Sequence, residues 1–345
     1  MKGKEMKIVR SFLALILVLT LSSCANQITS VMSSKQATVE DLATQCNEGD
    51  MDACLKAGRT YRYGHYFIYD APKDLDLATK YYILGCDGKN QEACKALYEM
   101  YKESLRKKEF TRGHPTILDM YGNSCTGGYG PACSSLAYNY EIGKGVDKNQ
   151  IKALALYEKG CNSGSRVGCD HAGDIYMKGK HVTRDPIKAK QFYEKACGWG
   201  YVNSCAELGL MYLKGDTVKK DINKAYTYFV SSCSGHIVDN DTTGCYNLAK
   251  MYEKGIGCEL NQAQAINLYS QACRWKPKIA DACVKLAQAY ESGVGIEKDH
   301  NAAWNYYRDA CELGSPEGCV GWHTDGCDRH KNVLDCEWLK KHDLY

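Results

Sequence analysis

A pair of cysteines placed 28 residues apart recurs along this chain of 345 residues. The spacing appears five times, and two earlier copies carry a few added residues. The copies are Cys54 to Cys86, Cys94 to Cys125, Cys133 to Cys161, Cys169 to Cys197, Cys205 to Cys233, Cys245 to Cys273 and Cys283 to Cys311. Self-similarity with a period of about 36 residues is typical of proteins in which each unit packs only against its neighbours. The sequence therefore predicts a repeat array of about seven units.

Each unit has the pattern of two short amphipathic helices joined by a turn. A tyrosine stands seven residues after the first cysteine in every unit, and a glycine follows three residues later in six of them. A glycine there suits the left-handed residue that ends a helix. An aromatic residue lies four positions before the second cysteine of every unit, at a spacing that favours a core role. We predict an all-α fold, an α/α solenoid of helical hairpins.

Twenty cysteines are ordinary in an oxidising compartment and unusual in a reducing one. Most of them form local pairs that join the end of one hairpin to the start of the next. Spacing alone leaves the connectivity open, but nearest-neighbour bonding is the economical interpretation. The predicted pairs are Cys46/Cys54, Cys86/Cys94, Cys125/Cys133, Cys161/Cys169, Cys197/Cys205, Cys233/Cys245, Cys273/Cys283, Cys311/Cys319 and, closing the C-terminus, Cys327/Cys336. Such short loops would each add roughly 2.5 kcal/mol of stability.

Cys258 is left without a local partner. It is either a thiol in an apolar slot of its loop or the site of a bond to a partner chain. A zinc site would need reduced thiolates, so we predict neither a metal nor a cofactor for the densest Cys/His group. That group is Cys319, His323, Cys327, His330 and Cys336.

The N-terminus has the pattern of a targeting segment. Residues 1–23 begin with basic residues and continue into an apolar run, Ser11–Leu21, that is too short for a permanent membrane helix. The end of this segment resembles the lipobox of bacterial lipoproteins, which implies cleavage before Cys24 and acylation of that residue. Because Ala25 is not an aspartate, the resemblance implies the outer membrane, on its periplasmic or surface face. The alternative is ordinary signal cleavage after Ala25 and a secreted product.

The charge balance argues against nucleic acid as a partner. The chain carries 44 lysines and arginines against 41 acidic residues, and the targeting segment accounts for the whole excess. The remainder has no basic field of the kind that nucleic-acid binding requires. Residues 24–36 are small and polar, which is typical of a flexible tether.

The repeated positions resemble the Sel1-like repeat family, whose helical hairpins share the tetratricopeptide geometry. The resemblance covers residues 37–325 and leaves residues 326–345 as a C-terminal cap. The cysteine pair at every joint resembles the cysteine-rich Hcp branch of this family. Membership implies a scaffold that holds a protein, a peptide or a cell-wall fragment in a concave groove. The Hcp branch also implies, as an alternative, a penicillin-binding protein or weak β-lactamase.

The sequence contains little that would support catalysis. Serine β-lactamases combine S-x-x-K with S-D-N and K-T-G elements. Here Ser104 begins the one S-x-x-K, ending at Lys107, and neither companion motif is present. Ser104 also stands where the other six units have their helix-ending glycine. We therefore predict no catalytic residue.

Candidate binding residues come from first-helix positions that the core does not constrain. If the first helices line the groove, positions two, five and nine after the leading cysteine face a ligand. The candidates are Tyr138, His171, Asp174, Glu207, Asn247 and Lys250. Added residues in the turn of the first hairpin, around His65–Tyr69, mark a second region where repeat proteins often bind partners.

Overall fold

The structure, a computed structural model, describes residues 38–107, 116–234, 242–328 and 332–342. These residues are largely helical, and the predicted α/α solenoid of disulfide-linked hairpins is confirmed. The helices are α1 Val39–Asn47, α2 Met51–Tyr63, α3 Leu75–Asp87, α4 Gln91–Lys107, α5 Ile117–Thr126, α6 Gly130–Ile142, α7 Gln150–Asn162, α8 Arg166–Lys178, α9 Pro186–Gly198, α10 Val202–Lys214, α11 Ile222–Cys233, α12 Thr242–Lys254, α13 Gln262–Arg274, α14 Ala280–Ser292, α15 His300–Glu312, α16 Pro316–Asp328 and α17 Val333–Lys341.

The bounds of the hairpin helices follow from short polar and glycine signals. The first helices α6 and α8 end at Gly143 and Gly179, whose φ angles of 79° and 66° lie in the left-handed region. The second helices begin after an Asp or Asn whose side chain accepts backbone N–H bonds of the first turn. These N-cap residues are Asp74, Asn149, Asp185, Asp221, Asn261 and Asp299.

The aromatic row of the second helices forms the core. Tyr82, Tyr157, Tyr193 and Phe229 are almost fully buried. Where the facing first helix has a glycine, it packs directly on the ring: a Cβ at Gly209 would lie 2.5 Å from the Phe229 ring. These close approaches explain why the hairpin helices carry small residues at their contact positions.

The tyrosine row of the first helices is less buried than a pure core position. Tyr101 and Tyr212 are buried, but the other five are half-buried. Several stack face to face on a ring of the second helix, with centroids 5.8 Å apart for Tyr176 and Phe192. This row therefore covers the edge of the core.

The cysteines form disulfides between consecutive helices. The bonds are Cys46–Cys54, Cys86–Cys94, Cys161–Cys169, Cys197–Cys205, Cys233–Cys245, Cys273–Cys283, Cys311–Cys319 and Cys327–Cys336, and Cys125 and Cys133 are disulfide-bonded as well. Cys258 is a free, half-buried thiol, and burial raises its pKa.

The chain divides into two compact units, residues 1–128 and 129–345. In the first unit, the residues added to the turn between α2 and α3 form a small antiparallel hairpin that the sequence analysis did not predict. Its strands are β1 His65–Tyr66 and β2 Tyr69–Asp70. The predicted signal peptide, the tether and Cys24 lie outside the described residues. Within the described parts, no helix has the length and apolar character needed to cross a bilayer.

Candidate binding clefts between neighbouring repeats

Two clefts in the second unit share one framework of side chains. In the first cleft, between α6 and α8, the buried Tyr157 hydroxyl donates a hydrogen bond of 2.6 Å to Glu141 Oε2. The Gln150 amide donates to the Glu141 backbone carbonyl at 2.9 Å, and so joins the start of α7 to the end of α6. This framework holds the Glu141 carboxylate at the floor of the cleft.

The second cleft, between α12 and α14, repeats these contacts. Tyr269 donates to Glu253 Oε2 at 2.9 Å, and Gln262 donates to the Glu253 backbone carbonyl at 3.1 Å. In both clefts the glutamate lies eight residues after the leading cysteine of its unit, and the tyrosine lies four residues before the closing one. The repeat therefore positions the same carboxylate–phenol pair twice.

The tyrosines of this framework are held in their neutral form. Burial raises the pKa of Tyr157, and the hydrogen bond to Glu141 raises it further. The same two causes, in the same order, raise the pKa of Tyr269. A neutral phenol is the state that can donate to the neighbouring carboxylate.

The first cleft has a volume of about 280 Å³ and a charged lining. His171 stacks on the Tyr157 ring, with centroids 4.7 Å apart, and its Nδ1 lies 3.7 Å from Glu141 Oε2. Asp174 accepts a 2.9 Å hydrogen bond from the Tyr193 hydroxyl and pairs with Lys178, which raises the pKa of that lysine. Both carboxylates of the cleft are thus engaged by groups of the protein.

The mouth of the first cleft is basic. Lys148, Lys180 and His181 line it and are exposed. No ion pair joins Lys148 or Lys180 to another residue in the described ranges, and neither is among the residues with further interactions. Their charges therefore face solvent at the opening of the cleft.

The second cleft is smaller, about 130 Å³, and its lining is nearly neutral. Lys285 takes the place of His171 and bonds Glu253 Oε1 at 3.1 Å. Gln288, Ser292 and Val294 stand where the first cleft has Asp174, Lys178 and Lys180.

The six predicted groove residues are not brought together. His171 and Asp174 line the first cleft, but the other four line neither cleft. Tyr138 is half exposed and Glu207 is half-buried. Asn247 is 8% exposed and donates to the Thr243 backbone carbonyl at 2.9 Å, while the Lys250 ammonium lies over the Tyr246 ring.

Sequence reasoning missed most of the cleft. Glu141, Gln150 and Tyr157 were not among the candidates, nor were the basic residues Lys148 and Lys180. A signal was present, because glutamate recurs eight residues after the leading cysteine in the third, sixth and seventh units. The tyrosine partner of that glutamate had been assigned to the core alone.

The other chemical candidates gain no support from the described residues. The backbone at Ser104 is helical within α4, and its side chain lies outside the described part of the chain. Among the described side chains, no group of three or more His, Cys, Asp and Glu residues could hold a metal ion. His330 falls in the range 329–331, which is not described.

Three solved structures are similar to this chain. One is c5321, a protective antigen present in uropathogenic Escherichia coli strains, with 24% identity, a TM-score of 0.67 and coverage of 88% of this chain and 64% of that one. A Sel1 repeat protein from Oxalobacter formigenes has 19% identity, a TM-score of 0.59 and coverage of 88% and 89%. Cysteine rich protein B (HcpB) of Helicobacter pylori is 28% identical over 39% of this chain and 96% of its own, with a TM-score of 0.32. This chain thus spans less than two thirds of c5321.

Sequence comparison identifies the repeat directly. Among curated proteins no sequence matches this chain. The sequence model of the Sel1 repeat matches six segments, which together make up more than half of the chain. They are residues 52–90, 130–165, 167–198, 202–235, 242–274 and 280–315. The chain therefore belongs to the Sel1 repeat family.

Proposed function

We propose that this protein is a non-catalytic scaffold that binds a segment of a partner protein or peptide along the concave face lined by its first helices. The observation that carries the proposal is the pair of equivalent clefts. Their Tyr–Glu–Gln framework is repeated, whereas the residues that face solvent differ between them. A constant framework with a variable lining is how repeat proteins present distinct subsites for one extended ligand.

The charges of the first cleft favour a carboxylate-bearing segment. Glu141 and Asp174 are already paired within the protein. The cations Lys148 and Lys180 have no such partner among the described residues. A ligand with acidic side chains or a terminal carboxylate would therefore meet complementary charge at the mouth of this cleft.

Photo-crosslinking tests this proposal without knowledge of the ligand. Ile142 lines the first cleft and is 47% exposed, so benzoylphenylalanine at this position should capture the bound segment in the native cell envelope. Ile151 is 69% exposed on α7 and lines neither cleft, which makes it the matched control. A discrete adduct at position 142 and none at 151 is expected. The same adducts, or none, at both positions would contradict the proposal.

The penicillin-binding alternative is not favoured by any contact among the described residues. It is tested by incubating purified, oxidised protein with labelled penicillin, with Ser104→Ala as the control. We expect neither a covalent adduct nor hydrolysis above buffer. An adduct that disappears in Ser104→Ala would overturn the non-catalytic assignment.

We also propose that the protein is exported and anchored to the bacterial outer membrane through a lipid on Cys24. The disulfides between repeats support an extracytoplasmic location, because such bonds persist in oxidising compartments. Metabolic labelling with a fatty acid should mark the wild-type protein and not Cys24→Ser. Labelling of both, or recovery of unlabelled protein from the medium, would favour ordinary secretion.

Cys258 offers a separate prediction about partner chains. If the thiol bonds another chain, a higher-mass species should appear on non-reducing gels of envelope extracts and vanish in Cys258→Ser. An unchanged gel would leave Cys258 as a thiol of its own loop.

A further inference from the structure

The β1–β2 hairpin presents an apolar tip that nothing in its own unit covers. Phe67 and Ile68 form the two-residue turn, and they are 74% and 59% exposed. Tyr63, at the end of α2, is 53% exposed and belongs to the same region of the surface. The corresponding turn between α6 and α7 is much shorter and runs from Gly143 to Asn149. The first repeat therefore carries an apolar projection that this later repeat lacks.

The backbone of the tip is strained in a way that its exposure does not explain. Phe67 has a φ of 55°, in the left-handed region where glycine is the usual residue of a two-residue hairpin turn. A phenylalanine in this conformation costs the fold free energy, and a side chain facing water returns little of it. Strain retained at an exposed aromatic residue points to a role outside the folded chain.

The tip is also held firmly. The Phe67 ring packs edge-on against the Tyr66 ring, with centroids 4.6 Å apart. The Tyr66 hydroxyl accepts a 2.7 Å hydrogen bond from the Arg59 guanidinium on α2. His65 and Asp70 form an ion pair at the base of the hairpin, where they face each other in the strand register. The apolar residues are thus fixed at the far end of a braced projection.

The shape and chemistry of the projection fit a lipid surface. Two apolar residues on a convex tip cover far less area than a stable protein interface requires, whereas a bilayer needs no matching pocket. Behind the tip, half-buried Tyr66 and Tyr69 supply rings with polar ends, the residue type enriched where membrane meets water. Arg59 follows at the base. This order, from apolar to amphipathic to cationic, matches the polarity gradient of a bilayer surface.

The position of the hairpin in the chain agrees with this fit. It follows α2, the helix bonded to α1 through Cys46–Cys54, and therefore lies in the first repeat of the array. If Cys24 carries the lipid proposed above, the chain from Cys24 to Thr38 extends at most roughly 50 Å. The first repeat would then stay near the membrane surface.

We propose that the β1–β2 hairpin inserts Phe67 and Ile68 into the interfacial region of a phospholipid bilayer. The hairpin would then be a second, non-covalent membrane contact that orients the first repeat on the surface. It would act independently of the clefts in the second unit.

Vesicle flotation tests this contact separately from the lipid anchor. A chain beginning at Ala25 lacks the proposed acyl acceptor and keeps every element that the structure describes. We would measure its partitioning onto vesicles of phosphatidylethanolamine and phosphatidylglycerol mixed 3:1. Phe67→Ser/Ile68→Ser should lower the partition coefficient at least about tenfold. The control is Ile151→Ser/Ile187→Ser, which removes side chains that are 69% and 67% exposed on other helices and should leave partitioning unchanged.

A single substitution separates membrane contact from a role in folding. Phe67→Gly removes the ring and relieves the left-handed strain. It should lower partitioning at least about fivefold while the thermal midpoint stays the same or rises. A fall in the midpoint would mean that Phe67 serves the fold, and would overturn the proposal. Failure of the wild-type chain to bind vesicles, or equal losses in tip and control variants, would overturn it too and direct the search to a pocket on a partner protein.

Discussion

The two clefts of the second unit have the same framework and different surfaces. Tyr157, Glu141 and Gln150 in the first cleft make the contacts that Tyr269, Glu253 and Gln262 make in the second. Yet the first cleft is about 280 Å³ with a basic mouth, and the second is about 130 Å³ and nearly neutral. In this protein the repeat fixes where a cleft forms, and a few first-helix and turn residues decide what it accepts.

The largest expected effect comes from removing the disulfide beside each cleft. Cys161→Ala/Cys169→Ala frees the joint between α7 and α8, and Cys273→Ala/Cys283→Ala frees the joint between α13 and α14. The sequence separations are 8 and 10, so each removal should lower the free energy of unfolding by roughly 2.5 kcal/mol. Because repeats interact with their neighbours only, hydrogen exchange should accelerate near the altered joint. Equal acceleration at both clefts in both variants would show that they do not behave as separate sites.

Charge reversal at the mouth of the first cleft should have the next largest effect. Lys148→Glu replaces a cation of that mouth, whereas Lys298→Glu makes the same change at the equivalent turn position of the seventh unit, outside both clefts. We expect the yield of adduct at position 142 to fall about tenfold in the first variant and to stay unchanged in the second. If both variants lose adduct alike, the charge of the whole surface matters and the first cleft is not selective.

The carboxylate–phenol pair should be worth more in the first cleft than in the second. Tyr157→Phe leaves Glu141 with His171 Nδ1 at 3.7 Å, beyond hydrogen-bond distance, whereas Tyr269→Phe leaves Glu253 bonded to Lys285 at 3.1 Å. We expect losses in the free energy of unfolding of about 1 kcal/mol and about half that value, respectively. Denaturant unfolding with hydrogen exchange at the ends of α6 and α12 measures both. A larger loss for Tyr269→Phe would show that Lys285 does not support its glutamate.

The sequence predicted the framework of the fold because periodic positions report local geometry. Gly143 and Gly179 mark helix ends through backbone conformation alone, and Tyr157 marks the core through its spacing from Cys161. Nearest-neighbour pairing of cysteines likewise needs only the knowledge that one helix ends where the next begins.

The clefts and the β-hairpin could not be predicted in the same way. The hydrogen bond between Tyr157 and Glu141 spans 16 residues and depends on how two helices cross. Asn247 occupies a position that seemed free, but its amide turns back onto its own helix. The turn at Phe67 lacks the glycine or asparagine that signals a hairpin, because its backbone adopts a conformation that the residue type disfavours.

The smallest expected effect concerns alkaline pH, and here the two clefts should agree. The pKa of Tyr157 and that of Tyr269 are raised above 10 by burial and then by their glutamates. A raised pKa means that each tyrosine contributes stability that is complete below about pH 10 and is lost as the pH rises further. Neither should ionise in the folded protein between about pH 9 and pH 11. The rise in absorbance of the tyrosinate band over that interval should therefore be the same in wild type, Tyr157→Phe and Tyr269→Phe. Loss of one tyrosine's share, out of 26, in either variant would show that water reaches that phenol in the folded state.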